Sequence, residues 1–277
     1  MSDKAGPEPM YVLGRSSEET RRLRAQAAFV EPSTERLFQD AGVGPGMSVL
    51  DLGSGAGDVA LLAARLVGPK GSVLGVDANP VILETAGARV RAAGYDNVSF
   101  HAGDIGELAL ARRFDAVVGR YVLMFVPDPV ATLSAAVKHL RPGGVAAIQE
   151  CDWTQSPYAA PASPLLDRVW AWICDAFRRS GADTDLGPKL RALFLAAGLA
   201  EPQLHGDRFV GGADDWYGYD HIAGLMSSVL PFLESSGVVT AKEVQIDTLR
   251  ERLRREIAAD GGIVMYQTLV RAWARKP

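Results

Sequence analysis

The sequence contains little cysteine and little histidine, with two and four of these residues among 277. Two cysteines do not imply a disulfide framework, because small disulfide-stabilised domains need several pairs. Charge of one sign is also scarce, since 29 Lys and Arg face 33 Asp and Glu and leave a formal net charge of −4. No basic run exceeds two residues. A nucleic-acid-binding surface needs clustered positive charge, so we expect no nucleic-acid partner.

Long apolar runs are missing as well. No stretch reaches the roughly 20 residues that a transmembrane helix needs, and the polar segment 1–9 lacks the apolar centre of a signal peptide. We therefore expect a soluble, cytoplasmic protein that has no membrane partner and is a monomer or a homodimer. With 48% hydrophobic residues, the chain can bury a sizeable core.

What the chain does carry is a pair of apolar runs that each lead into an acid. Residues 49–57 read VLDLGSGAG, and residues 73–77 read VLGVD. Such runs, bounded by glycine, are typical of strands buried on both faces of a parallel sheet, and ligands bind at the carboxyl ends of such strands. Glycine lets the backbone approach a ligand closely, and Asp77 can accept hydrogen bonds from the two hydroxyls of a ribose. The pair predicts a nucleoside-binding site.

The spacing of the glycines disfavours a phosphate-containing ligand. A dinucleotide fingerprint that began at Gly53 and Gly55 would have its third glycine at Asp58. A carboxylate there would oppose a pyrophosphate at the helix N-terminus, and no phosphate-cradling P-loop motif occurs elsewhere. The predicted ligand therefore contains adenosine or ribose but no phosphate. A NAD-dependent oxidoreductase remains as a disfavoured alternative.

Beyond the glycine turn, the chain resembles the class I S-adenosylmethionine-dependent methyltransferases of the small-molecule type over about residues 45–150. Each motif alone is weak evidence, but five of them occur in the family's order and spacing. They are DLGSGAG at 51–57, the acid at 77, AGDI at 102–105, FDAVVGRY at 114–121 and LRPGG at 140–144.

The resemblance implies S-adenosylmethionine as the cofactor and a set of residues that bind it. In the family, the glycine turn lies against the methionine part and the acid after the second strand binds the ribose. The acid after the third strand takes the adenine amino group, and the next apolar residue packs on the ring. The implied residues are Asp51, Gly53, Gly55, Gly57, Asp77, Ala78, Gly103, Asp104, Ile105, Arg120 and Tyr121.

Two further features follow from the resemblance. Small-molecule relatives fold an N-terminal arm over the cofactor, which implies contacts from Tyr11 and Gln26; a helix start that packs on the sheet is the alternative. DNA amino-group methylases would carry an Asn/Asp-Pro-Pro-Tyr turn after the fourth strand, and metal-dependent catechol-type enzymes a metal-binding acid. This chain has Arg120 there. We expect no metal, and the resemblance implies that the Arg120 backbone lines the methionine part, with a solvated charge as the alternative.

The order of apolar runs and turn residues predicts a doubly wound α/β fold. The sheet is mostly parallel, Rossmann-like and seven-stranded, with two short helices before it (about 16–28 and 33–41) and a helical lid inserted after the fifth and sixth strands. The predicted regions are an N-terminal helical arm over the cofactor site (1–45), the cofactor-binding core (46–150), the lid and substrate region (151–186 and 213–260) and the remainder of the sheet domain (187–212 and 261–277).

The predicted reaction is methyl transfer to a small-molecule acceptor, by alignment of the reactants and closure of the lid. Aromatic residues in the lid suggest an apolar or aromatic acceptor. The chain offers two candidate catalytic residues: His221, which could be a general base or a packing residue, and Glu150, which could act on the substrate or cap a turn. A cyclase or a non-transferring cofactor-binding protein is the alternative function. The lid aromatics are Trp153, Tyr158, Trp172, Trp216, Tyr217 and Tyr219.

Overall fold

The computed structural model of the chain describes residues 17–212 and 215–277, and for residues 17–28 and 260 it describes only the backbone. The helices are α1 (Ser17–Asp40), α2 (Asp58–Val67), α3 (Pro80–Ala92), α4 (Pro129–Lys138), α5 (Pro164–Ser180), α6 (Leu190–Ala196), α7 (Gly218–Ser235), α8 (Ala241–Val244) and α9 (Leu249–Ala258). The strands are β1 (Ser48–Leu52), β2 (Ser72–Asp77), β3 (Val98–Ala102), β4 (Phe114–Arg120), β5 (Leu140–Asp152), β6 (Tyr158–Ala160), β7 (Gln203–Gly211) and β8 (Ile263–Arg275).

The chain divides into two compact units. The sheet unit consists of Val30–Cys151, Asp185–Asp207 and Leu269–Pro277. The helical unit consists of Asp152–Thr184, Arg208–Thr268 and the part of α1 up to Phe29. The sequence predicts one N-terminal arm over residues 1–45. Among the described residues, α1 is divided between the two units after Phe29.

The sheet unit has the predicted doubly wound topology. Its strands follow the order β3-β2-β1-β4-β5-β8, and β7 pairs with β8. The pairs β1–β2, β1–β4, β2–β3 and β4–β5 are parallel, so the mostly parallel Rossmann-like sheet is confirmed. Within residues 17–212 and 215–277 the sheet has eight strands instead of the expected seven, because β6 pairs antiparallel with the first residues of β8 in the helical unit.

The central strands of the sheet unit are buried on both faces. Val49, Leu50 and Leu52 of β1 are fully buried, and helices cover each face, as the continuous apolar runs predicted. α2 contributes small side chains to this core, including Ala60 and Ala63, which let the helix lie close to the sheet. The carboxyl ends of β1 and β4 are therefore held by a packed interior.

The helix α1 differs from the prediction of two short helices. It runs from Ser17 to Asp40 without interruption and contains Pro32. A proline inside a helix removes one backbone hydrogen bond and costs about 3 kcal/mol. Val30, Leu37 and Phe38 lie on one face of the helix and are buried, each contributing roughly 1.5–3 kcal/mol. Packing on both sides of the proline therefore offsets its cost, and the prediction of two separate helices was wrong here.

The helical unit contains α5, α7 and α9, which pack against one another. One face of α5 carries a stripe of apolar side chains, and all of its members are buried. Within the described part of the chain, none of the helices combines the length and the apolar character needed to cross a membrane. The stripe residues are Leu166, Val169, Trp170, Ile173 and Phe177.

Candidate active site

The predicted cofactor site lies at the carboxyl edge of the sheet unit. The glycine turn 53–57 follows β1, while Asp77 ends β2 and Arg120 ends β4. Two backbone hydrogen bonds hold neighbouring loops together: Ser54 N donates to Val76 O over 2.9 Å, and Gly103 N donates to Asp77 O over 3.0 Å. Because β1, β2, β3 and β4 are parallel, the segments that follow them meet at one edge.

The glycine turn needs its glycines for two different reasons. Gly53, Gly55 and Gly57 have φ values of 60°, 49° and 85°, a region that L-residues rarely adopt. A Cβ at Gly53 would lie 2.5 Å from Val122 Cγ2, which the packing does not allow. A Cβ at Gly55 would meet nothing closer than 4.0 Å. The backbone at Gly55 is therefore open to the approach of a ligand.

Asp77 is fixed in place by the backbone around it. Its Oδ2 accepts a hydrogen bond from Gly55 N over 2.9 Å, and its Oδ1 accepts one from Asn79 N over 2.9 Å. Each carboxylate oxygen keeps a further lone pair for another donor. The carboxylate can thus bind the glycine turn and two ribose hydroxyls at the same time. The next residue, Ala78, is exposed.

The segment after β3 offers a second polar group to the same edge. Asp104 is exposed, and its Oδ1 accepts a hydrogen bond from Gly106 N over 2.7 Å. Gly103 is held by Asp77 O, as described above, and Ile105 is 8% exposed. Asp104 is therefore accessible to a donor such as an adenine amino group, while Ile105 offers only a small part of its side chain.

Asp51 is the most unusual residue of the site. It is completely buried, and neither carboxylate oxygen has a hydrogen-bond partner in the described structure. Burial raises the pKa of the Asp51 carboxyl well above its ordinary value, and the Arg120 guanidinium opposes that rise. A buried polar group without a partner is costly. A cationic donor at this point would compensate the carboxylate, and the amino group of the methionine part of S-adenosylmethionine is such a donor.

Arg120 shares a face of the sheet with Asp51. Asp51 pairs with Val118 across β1 and β4, and Arg120 follows Val118 by two residues, so its side chain is a diagonal neighbour on the same face. The guanidinium donates a hydrogen bond to Thr34 Oγ1 over 3.1 Å. The resemblance implied a role for the Arg120 backbone. The contact with Thr34 was missed, because nothing local in the sequence links residues 86 positions apart.

The turn after β4 is strained and anchored. Tyr121 has a φ of 53°, which is uncommon for a residue other than glycine and typical of functional sites. Its N–H donates to Gln149 O over 2.9 Å. Glu150 Oε1 accepts hydrogen bonds from Val122 N (3.0 Å) and Leu123 N (2.7 Å). This oxygen caps the turn.

Glu150 is completely buried, and two backbone N–H groups engage its Oε1. These contacts support the capping role. The catalytic role that the sequence also allows stays a prediction. Elsewhere, within residues 17–212 and 215–277, no cluster of three or more His, Cys, Asp and Glu side chains could hold a metal ion.

The remaining predicted site residues belong to the helical unit or lie outside the described residues. Tyr11 lies outside the described residues, and Gln26 falls in α1 where only the backbone is described. His221 is 3% exposed. Its ring stacks on Phe29 at a centroid distance of 5.6 Å and meets Tyr266 edge-on at 5.5 Å. His221 is thus enclosed by aromatic rings of its own unit.

These rings belong to a longer series within the helical unit, which we call the aromatic series. Rings of this series that contact each other have centroids 4.5–6.5 Å apart, and Phe29 contacts several of them. Four of the six lid aromatics predicted from the sequence belong to this series. The other two do not: the Tyr158 ring lies 5.3 Å from the guanidinium carbon of Arg208, and Trp172 is half-buried. The series consists of Phe177, Trp153, Trp170, Tyr266, His221, Phe29, Phe209, Tyr217, Trp216 and Tyr219.

Replacing Asp51 with asparagine should stabilise the ligand-free protein and weaken its affinity for S-adenosylhomocysteine. Burial raises the pKa of the Asp51 carboxyl in the folded protein. The wild-type protein is therefore most stable at a pH below the ordinary pKa of an aspartate, and it loses stability as the pH rises through the raised pKa of the folded state. Thermal unfolding from about pH 4 to about pH 8 should show a gain for Asp51→Asn that grows with pH.

Asp77→Asn is the matched control for this experiment. The Asp77 carboxylate accepts two backbone N–H bonds, so its replacement should weaken binding without raising the melting temperature. An Asp51→Asn protein that is less stable than the wild type at neutral pH would contradict the description of Asp51 as an uncompensated buried charge.

Asp77→Ala should lower the affinity for S-adenosylhomocysteine in calorimetry by roughly tenfold to a hundredfold, because hydrogen bonds to a charged group are lost. Asp115→Ala is a suitable control, since the Asp115 carboxylate binds Ser48 N at the opposite end of β1. Equal affinities of Asp77→Ala and the wild type would remove Asp77 from the ribose site.

Comparison with known proteins agrees with the geometry of the site. A family model described as a methyltransferase domain matches residues 44–184. The arsenite methyltransferase of Halobacterium salinarum is 40% identical over 111 residues, which is 40% of this chain and 28% of that relative. The demethylmenaquinone methyltransferase of Lactococcus lactis is 31% identical over 175 residues, or 58% of this chain and 69% of that relative. The chain thus spans less than two thirds of the first of these two proteins.

A solved structure extends the likeness of the fold. The cyclase SpnF superposes with a TM-score of 0.56 at 19% identity, covering 89% of this chain and 81% of its own. At that identity the likeness concerns the fold alone. The family match spans half of the chain and includes the glycine turn, Asp77, Asp104 and Arg120. This chain belongs to the S-adenosylmethionine-dependent methyltransferase domain family.

Proposed function

We propose that the protein transfers the methyl group of S-adenosylmethionine to a small-molecule acceptor. The observation that carries this proposal is the buried Asp51 carboxylate, which has no hydrogen-bond partner among the described residues and lies beside an open glycine turn. When bound, the cofactor supplies a methyl group that its sulfonium already activates. The chain then has to bind the cofactor through Asp51 and Asp77, align the acceptor and exclude water.

The test of this function is product formation. The protein is incubated with methyl-labelled S-adenosylmethionine and extracts of small metabolites, and mass spectrometry follows S-adenosylhomocysteine and labelled products. We expect both to accumulate together. Cofactor binding without S-adenosylhomocysteine, over every acceptor tried, would instead favour the alternative of a cyclase or a non-transferring binding protein. The shared fold of the cyclase SpnF is the observation that keeps this alternative open.

The acceptor is an aromatic or apolar molecule rather than a soft metalloid. One relative is named as an arsenite methyltransferase. A soft acceptor of that kind is bound best by several cysteine thiolates. This chain has two cysteines. Cys151 belongs to the sheet unit, where it is buried near Met124 Sδ, and Cys174 belongs to the helical unit. The aromatic series of the helical unit supports a planar acceptor instead.

Two indole groups in the aromatic series support an acceptor that carries an oxygen atom. Trp153 and Trp170 are 9% and 2% exposed, and their ring centroids lie 4.8 Å apart. Neither Nε1–H has a hydrogen-bond partner within the described part of the chain. A buried indole N–H usually finds an acceptor, and a phenol, enol or carbonyl oxygen on a planar substrate would provide one.

Catalysis in this proposal rests on positioning. His221 was the best candidate for a general base, but its ring is enclosed between Phe29 and Tyr266. Holding two reactants in line can supply roughly 7–11 kcal/mol of the barrier. An acceptor that loses its proton readily needs no dedicated base. His221 is therefore assigned to the packing of the aromatic series.

Trp170→Phe should raise the KM for an oxygen-bearing acceptor by roughly twofold to tenfold, which corresponds to one net hydrogen bond. The affinity for S-adenosylhomocysteine should not change, because Trp170 is not among the residues assigned to the cofactor. The melting temperature should fall only moderately, since the phenyl ring keeps most of the packing but leaves a small cavity. Trp172→Phe, at a half-buried position outside the aromatic series, is the control. Equal KM values for both variants and the wild type would overturn the role of the indole.

His221→Phe keeps a ring between its neighbours and should retain most of the turnover, measured as S-adenosylhomocysteine release at saturating substrate. His221→Ala should lower the melting temperature, because it leaves a cavity in the series. If His221→Phe folds normally but turns over roughly 10²–10⁴-fold more slowly, with unchanged cofactor affinity, His221 is a general base and the positioning account is wrong.

A further inference from the structure

A relay of buried side chains in the sheet unit ends on Arg120. Arg120 Nη1 donates to Thr34 Oγ1 over 3.1 Å, and Thr34 Oγ1 donates to Gln149 Oε1 over 2.7 Å. Gln149 Nε2 then donates to Ser33 Oγ over 2.7 Å, and Ser33 Oγ donates to the carboxylate of Asp207. Thr34 and Gln149 are completely buried, and Ser33 is 2% exposed. The relay therefore lies inside the protein.

The Asp207 carboxylate, at the end of the relay opposite Arg120, determines which atom donates in each hydrogen bond. Arg271 lies against Asp207, with Nε 2.6 Å from Oδ2, so the carboxylate serves as an acceptor at this end of the relay. Ser33 must then donate its only hydroxyl proton to Asp207 and accept from Gln149. The amide oxygen of Gln149 accordingly faces Thr34. The single Thr34 proton goes to this oxygen at 2.7 Å rather than to Val30 O at 3.2 Å, because two oxygen acceptors cannot face each other at the shorter distance without a proton between them. The remaining lone pairs of the Thr34 hydroxyl are left to accept from Arg120.

The Arg120 guanidinium has unused donors. Thr34 is its only hydrogen-bond partner in the described structure, and no carboxylate there lies within ion-pair distance of it. The side chain is half-buried, and burial lowers the pKa of its guanidinium. A guanidinium carries several N–H donors in a fork that matches a carboxylate. Asp58, a nearby acid, pairs with Arg89 Nη2 over 2.6 Å instead.

We propose that Arg120 binds the carboxylate of the methionine part of the cofactor, and that Thr34 and Gln149 are positioning residues that aim its guanidinium. The inference rests on the cofactor assigned above, and it adds the contact that recognises the amino-acid end. S-adenosylmethionine has no phosphate, so the carboxylate is its only anionic group. Asp51 and Arg120 are diagonal neighbours of opposite charge on one face of the sheet. Together they match the ammonium and the carboxylate of an α-amino acid.

The test compares cofactor analogues in calorimetry. S-adenosylhomocysteine, its decarboxylated analogue, its deaminated analogue and 5′-methylthioadenosine, which lacks both groups, are titrated into the wild type and the variants. In the wild type, removal of the carboxylate should weaken binding roughly tenfold to a hundredfold. In Arg120→Gln the decarboxylated analogue should bind as well as S-adenosylhomocysteine. In Asp51→Asn the deaminated analogue should bind as tightly as S-adenosylhomocysteine. The decarboxylated analogue should still bind more weakly than S-adenosylhomocysteine.

Thr34 provides the readout for positioning. Thr34→Val removes the hydroxyl at similar volume and should reduce the preference for the carboxylate by roughly threefold to tenfold, with the affinity for 5′-methylthioadenosine unchanged. Thr34→Ser keeps the hydroxyl and should retain the preference. Arg65→Gln, which removes an exposed guanidinium bound to Glu31 and Glu35, should leave every ratio as in the wild type.

The outcomes separate this inference from the proposed function. A preference for the carboxylate that survives in Arg120→Gln would overturn the assignment of Arg120. A loss of 5′-methylthioadenosine binding in Thr34→Val equal to the loss of S-adenosylhomocysteine binding would show a general structural role and overturn the positioning role. If the wild type binds none of the four ligands, the cofactor assignment itself fails. The transfer assay described above can fail without affecting any of these ratios.

Discussion

The candidate site depends on one carboxylate, that of Asp51, which is buried away from water. Asp51 interrupts an apolar strand at the centre of the sheet, between Leu50 and Leu52, which are completely buried. Neither oxygen has a hydrogen-bond partner among the described residues, and burial raises the pKa of the group. A strand that served the core alone would carry an apolar side chain here. The ligand-free fold therefore tolerates a destabilising group where a binding site needs a charge.

Other features of this edge hold the surroundings of that charge in place. The positive φ at Tyr121 turns the chain after β4, and Glu150 Oε1 fixes the following residues through two backbone hydrogen bonds. The relay from Asp207 ends on Arg120, which lies on the same face of the sheet as Asp51. Because these supports are buried, the geometry is preorganised, so binding a cofactor requires little ordering of side chains.

The sequence predicted the parts of the site that depend on local spacing. An apolar run followed by Gly53, Gly55 and Gly57 identifies a strand and a tight turn within a few residues, and Asp77 follows by the same logic. The relay could not be predicted, because Thr34 and Gln149 are 115 positions apart, and Ser33 and Asp207 are 174 apart. Their contact depends on how α1 and β7 meet the sheet.

Burial adds information where residue type alone is ambiguous. The sequence allows Glu150 to be a catalytic group or a cap, and its buried position with two backbone N–H donors on Oε1 supports the cap. Trp170 lies on the buried apolar face of α5, yet the periodicity of a helix carries no information on whether an indole N–H finds a partner. α1 shows the same limit, since packing on both sides of Pro32 overrides its local effect.

We propose that the ammonium and carboxylate groups of the cofactor compensate the charges of Asp51 and Arg120 at the carboxyl edge of the sheet. A crystal structure of the protein with S-adenosylhomocysteine tests it most directly. The account predicts the amino nitrogen within about 3 Å of an Asp51 oxygen and the ribose hydroxyls on Asp77, as expected of charge-assisted hydrogen bonds. A complex in which the ligand leaves both Asp51 oxygens without a donor would contradict it.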